Sequence, residues 1–156
     1  MNSEAGMKAI IADTSCLIIY DKINRLEILQ RTFADLIVTA EVAEEFGELP
    51  DWITIRQLAN KNQYLELAKN LGKGEASSIT LALEFEDSLL IIDERKGRKV
   101  AEGLKIEIIG SLGVLIKAKE KGVIKSVKVI LDLIDKTNFR VSESIKEKVL
   151  KKAGEW

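Results

Sequence analysis

Four acids in this chain stand where solubility does not require them. Asp13 ends the apolar stretch KAIIAD, and Asp93 ends SLLIID with Glu94 directly behind it. Short apolar runs bounded by small polar residues read as buried strands, and a carboxylate at the exit of such a strand has lost part of its water. Two further acids are aimed by helical spacing. Setting residues about 100° apart around TAEVAEEFGEL gives one apolar stripe of Val42, Phe46 and Leu49, with Glu45 on its border and Glu44 nearly opposite. The same projection of GKGEASSITLALEFE places Glu75 with Ile79, Ala82 and Leu83, and Glu84 across the helix. Taken singly, each acid has a plain structural role. Asp13 would cap the helix that follows its strand, and Glu75 would stabilise its own first turn by roughly 0.3 to 1 kcal/mol.

Together they carry a different expectation. Carboxylates gathered without a cation repel one another, take up protons or move apart. A hard divalent cation resolves the conflict, and magnesium or manganese suits carboxylate oxygens and retained water. The chain has no histidine and one cysteine, which excludes an imidazole base for a serine or cysteine nucleophile and the usual zinc cages. Cys16 lies within the apolar CLII stretch and reads as a small buried hydrophobe. Phosphodiester hydrolysis needs acids and hard ions and no histidine, because such ions polarise a phosphoryl oxygen and stabilise the attacking and leaving oxygens. Arg95, Lys96, Arg98 and Lys99 follow the fourth acid and could meet a phosphate backbone, although a solvated helix face is the commoner meaning of such a run.

The elements that must position these acids alternate in type. Apolar runs KAIIAD, DLIVT, WITI, SLLII and KIEII are strand candidates. Helical spacing covers Ile23 to Phe33, Ala40 to Glu48, Asn60 to Leu71, Glu75 to Glu86, Arg95 to Gly103, Leu112 to Lys121 and Val127 to Lys136. A last helix follows Ser144, with Glu147 completing a capping box. Strands alternating with helices predict a three-layer α/β/α sandwich around a mostly parallel sheet. In such sheets ligands sit beyond the carboxyl ends of the strands, where Asp13 and Asp93 fall. The stripe Val127, Ile130, Leu131 and Ile134 reads as core and could otherwise serve a dimer.

With 156 residues and 46% hydrophobic content, the chain suits one domain, expected over 7–156, with 1–6 as a leader or an expression scar. The net charge of −1 points globally to neither nucleic acid nor membrane. No apolar run approaches the roughly 18 residues of a membrane span, and a cytoplasmic location is expected.

The motifs IADTSCLI, VTAEVAEEF, LGKGEASSITLA, LLIIDERKGRKVA and IIGSLGVLIKAKEKGVI, in that order, resemble the PIN domain, a nuclease fold whose toxin members are called VapC. With the tail NFRVSESIKEKVLKKAGE, the likeness to a bacterial and archaeal branch spans nearly the whole chain. The resemblance implies a metal-dependent endoribonuclease whose acidic quartet is Asp13, Glu45, Glu75 and Asp93, with Ser15 ordering the first acid. It also implies an RNA substrate, a small antitoxin that inserts a basic residue among the acids, and frequent dimerisation. Many toxin members carry an Asp slightly deeper in the third helix where this chain has Glu75. Asp93 is taken as the fourth acid because it leaves the strand first, with Glu94 as the alternative. A second expectation keeps the fold but makes it a catalytically silent RNA- or protein-binding module. A phosphoacceptor domain is disfavoured, because Ala12 and Ser15 stand where it would carry further acids.

Overall fold

The computed structural model describes residues 8–156. The expected leader at 1–6 and the domain start at Met7 therefore lie outside the described residues. The five apolar runs form β1 (Ala9–Ala12), β2 (Leu36–Thr39), β3 (Ile53–Arg56), β4 (Ser88–Ile91) and β5 (Glu107–Ile109). They make one sheet in the order β3-β2-β1-β4-β5, and every pairing is parallel. Parallel neighbours need long crossovers. These are supplied by α1 (Thr14–Lys22), α2 (Glu27–Phe33), α3 (Ala40–Phe46), α4 (Lys61–Leu67), α5 (Lys73–Leu83) and α6 (Arg95–Gly103). The chain then ends in α7 (Ser111–Glu120), α8 (Val127–Asp135) and α9 (Glu143–Lys152).

Side chains alternate across the sheet. Ala12, Leu36, Val38 and Ile91 enter one core together with Leu17, Leu29, Leu115 and Leu131, while Ile11, Leu90 and Ile92 enter another with Ile79, Leu81 and Ala101. A sheet covered on both faces explains why its strands read as nearly unbroken apolar runs. The result is a three-layer α/β/α sandwich whose sheet is wholly parallel.

Two local expectations are corrected. The helix expected from Ile23 to Phe33 starts only at Glu27, and a further helix, α1, precedes it over Thr14–Lys22, with Asn24 at φ 57 between the two. Asparagine enters this left-handed region more readily than most residues. The last helix is capped by Ser142, which accepts from Ile145 N–H at 3.3 Å, and Glu147 pairs with Lys151 instead of closing a box with Ser144. Val127, Ile130, Leu131 and Ile134 are all buried, so the stripe belongs to the core, as its spacing suggested. Among the described residues no helix is long and apolar enough to cross a membrane.

Candidate active site

The chain leaves β1 toward β2 and β3 on one side, then returns to β4 on the other, so the strand order reverses between β1 and β4. Ala12 is paired with Ile91, and Asp13 N–H donates to the Ile91 carbonyl at 3.0 Å. Asp13 and Asp93 thus leave neighbouring strands side by side at the topological switch, where open α/β sheets form a crevice.

Helices α3 and α5 bring the other acids to this crevice through buried hydroxyls. Thr39, the last residue of β2, accepts from Val42 N–H at 3.0 Å and so caps α3, which carries Glu45. Its hydroxyl also shares a 2.7 Å hydrogen bond with Ser77 on α5. Ser77 and Ser78 both donate to the Gly74 carbonyl, at 2.9 and 2.7 Å. Three buried hydroxyls therefore fix the start of α5, and with it Glu75, against α3.

Glycine is required where the acids crowd the backbone. A Cβ on Gly74 would lie 2.7 Å from Glu45 Oε1, 2.9 Å from Thr14 Oγ1 and 3.1 Å from Asp13 Oδ1. One on Gly97 would lie 2.9 Å from Glu75 Oε2. The two glycines leave the volume that the carboxylates occupy.

The crevice is a cavity of about 200 Å³ lined by Asp13, Thr14, Ser15, Glu45, Glu75 and Glu94, with Gly72 and Gly74 as its floor. Asp13 is the N-cap residue of α1 by position, yet its side chain makes no capping bond to the helix, and its Oδ1 is buried without a hydrogen-bond partner. Glu75 Oε2 is likewise buried and unpartnered. Burial is the main cause that lifts the Asp13 carboxyl to about 7; the nearby Thr14 N–H opposes this, and the charges of Glu75, Glu45 and Asp93 add to it. Glu75 is also raised, again mainly by burial, with the Gly72 backbone opposing, Glu94 and Glu45 adding, and Lys96 opposing. The ion pairs of the described residues all lie elsewhere.

The expected acids are not equivalent. Glu45 is solvent-exposed as a residue, but its Oε1 accepts from Thr14 Oγ–H at 2.5 Å. Asp93 is half-buried and does not line the cavity; its oxygens accept from Ser111 N–H at 2.7 Å and from Ser111 Oγ–H at 2.5 Å. Glu94, exposed at the start of α6, is the residue of that pair which lines the cavity. Ser15 lines it too, whereas the hydroxyls that bond acids here belong to Thr14 and Ser111. Among the basic residues, Arg95, Lys96 and Lys99 are exposed, and half-buried Arg98 is committed to the Ile92 carbonyl at 2.8 Å. Cys16 is fully buried and burial holds its thiol well above the ordinary range, so it is unreactive packing. Thr14 and Ser111 carry no signal in a single sequence, because their partners lie 31 and 18 residues away.

A donor set made only of carboxylate and hydroxyl oxygens, two of them buried and unpartnered, fits a hard divalent cation. Among the described residues no three acids already stand as ligands of one ion; Glu94 is exposed, and Glu45 is held by Thr14. No curated protein and no solved structure matches the chain. The family model DUF3368, described as a PIN domain, matches residues 9–155. That span takes in all five strands, every acid of the crevice and the helices that hold them, and the chain belongs to the PIN domain family.

Proposed function

We propose that this chain is a divalent-metal-dependent endoribonuclease that hydrolyses RNA phosphodiester bonds. The observation that carries the reading is the pair of buried, unpartnered oxygens, Asp13 Oδ1 and Glu75 Oε2, in a crevice whose four lining acids make no ion pair among the described residues. Asp13, Glu45 and Glu75, with Glu94 or Asp93, would hold magnesium or manganese. When bound, such an ion supplies positive charge to a phosphoryl oxygen and acidifies water. Asp13 and Glu75 would offer their carboxyl oxygens to the ion from a strand end and a helix start, and Gly74 and Gly97 leave room for the side chains of the acids. Exposed Arg95, Lys96 and Lys99 offer counter-charges to the RNA backbone beside the crevice.

An acidic pocket without a cation of its own also accepts a guanidinium. This supports the toxin of a toxin-antitoxin pair, restrained by a small protein that places a basic side chain among the acids.

A second reading, a metal-free RNA- or protein-binding module, is favoured by one observation: Asp93 is turned to Ser111 and does not line the cavity. Cleavage of a fluorescent RNA in magnesium decides between them. Asp13→Asn should keep the fold and lower cleavage by about two to three orders of magnitude, the usual scale for removing a charge-stabilising group. Cleavage that survives both this substitution and EDTA would reject the mechanism.

A further inference from the structure

We infer that Ser111 and Tyr20 are positioning residues for the acidic site, holding Asp93 in place through one hydrogen-bonded line from α1 to the end of β4. The inference rests on the metal-dependent reading above and assigns roles to two residues outside the acid cavity.

Ser111 opens α7 and is almost fully buried, at 1% exposure. It donates twice to the same carboxylate, from its N–H to Asp93 Oδ1 and from its hydroxyl to Oδ2. Two donors on two oxygens fix both the position and the plane of the group, and each oxygen keeps a further lone pair. The Ser111 carbonyl in turn accepts from Tyr20 Oη–H at 2.8 Å. Tyr20 lies on α1 and is fully buried.

A buried tyrosine hydroxyl ordinarily finds some partner. What gives this one a role in the site is the helix that carries it. Helix α1 begins directly after Asp13, its first residue Thr14 bonds Glu45, and its Tyr20 bonds the residue that holds Asp93. One rigid element therefore indexes two acid arms against Asp13. Asp93 and Asp13 follow neighbouring strands, and like charges brought together move apart when nothing restrains them. Donors to a carboxylate beside a metal orient it, and losing them commonly weakens metal affinity or activity by about ten- to a hundredfold.

The test is manganese titration of the full chain by calorimetry, with thermal midpoints and RNA-cleavage kinetics on the same samples. Ser111→Ala and Tyr20→Phe should each weaken manganese binding by about tenfold and lower kcat while leaving KM for RNA unchanged. Ser111→Thr, which keeps the hydroxyl, should bind like the parent. Manganese affinity unchanged in Ser111→Ala and Tyr20→Phe, with only the thermal midpoint lowered, would reduce the line to packing and overturn the inference. A parent chain that binds manganese but leaves RNA intact would end the ribonuclease reading, and the affinity series would still decide the roles of Ser111 and Tyr20. A parent that binds no manganese at millimolar concentration would overturn both.

Discussion

Asp13 combines a buried carboxyl with no hydrogen bond to its Oδ1, which makes it the residue whose ionisation is most tied to what enters the crevice. Burial raises its folded-state pKa from the ordinary 3.8 to about 7. Between those values the folded chain keeps a proton that the unfolded chain has released. Its contribution to stability is therefore complete below about pH 4 and is lost as pH rises through 7. Without divalent cations, the thermal midpoint should fall across that window by roughly 5 to 10 °C, the scale of a few kcal/mol in a chain of this size. Asp13→Asn should flatten the fall and raise the midpoint at pH 7.5, and magnesium should stabilise the parent but not the variant. Differential scanning fluorimetry across pH 4 to 8 checks all three. The acids themselves were legible in the sequence, because strand ends and a 3.6-residue period say where a side chain points. Their ranking was not. Asp93 leaves its strand first, yet it is turned toward Ser111, 18 residues on, while Glu94 lines the cavity.

Helices expose the limits of periodicity at their ends. Arg95 to Gly103 was readable to the residue, since it starts beside a strand exit and stops at glycine. The Cys16 to Tyr20 stretch joined a helix that the apolar run concealed, and Asn24 at φ 57 delayed the next helix from Ile23 to Glu27. Helix α8 depends on a partner no local pattern could reveal. Glu155 accepts from the N–H groups of Val127 and Lys128 at 2.7 and 3.0 Å, from Ser126 Oγ–H at 3.1 Å and from Lys119 Nζ at 3.0 Å. Burial pushes this carboxyl up, but the two backbone donors, Lys119 and Ser126 outweigh it and hold it at about 2. A lowered carboxylate stabilises the fold above its ordinary pKa of 4.5 and loses that contribution as pH falls through 2. Glu155→Gln should lower the thermal midpoint at pH 7 by roughly 2 to 6 °C, on the scale of a lost helix cap. The gap from the parent should shrink as the pH approaches 2. A constant gap would assign the effect to shape rather than charge.

The whole molecule converts near-neutrality into local contrast. Its net charge of −1 conceals a crevice lined by Asp13, Glu45, Glu75 and Glu94, with Asp93 beside it on Ser111 and exposed basic residues following on α6. The alternation of strands and helices made the sandwich legible, because a parallel sheet covered on both faces demands apolar strands and long crossovers. The strand order was not legible, and it is the order that sets β1 beside β4 and turns two distant acids into neighbours. Hydroxyl contacts across 31 and 91 residues, Thr14 to Glu45 and Tyr20 to Ser111, depend on the same arrangement.

A divalent cation shared by these acids would show in anomalous diffraction from crystals grown with manganese. A peak beside the carboxyl groups of Asp13 and Glu75 is expected. A crevice without a peak at millimolar manganese, in which those two carboxyl groups have instead paired with arginine or lysine, would contradict that expectation.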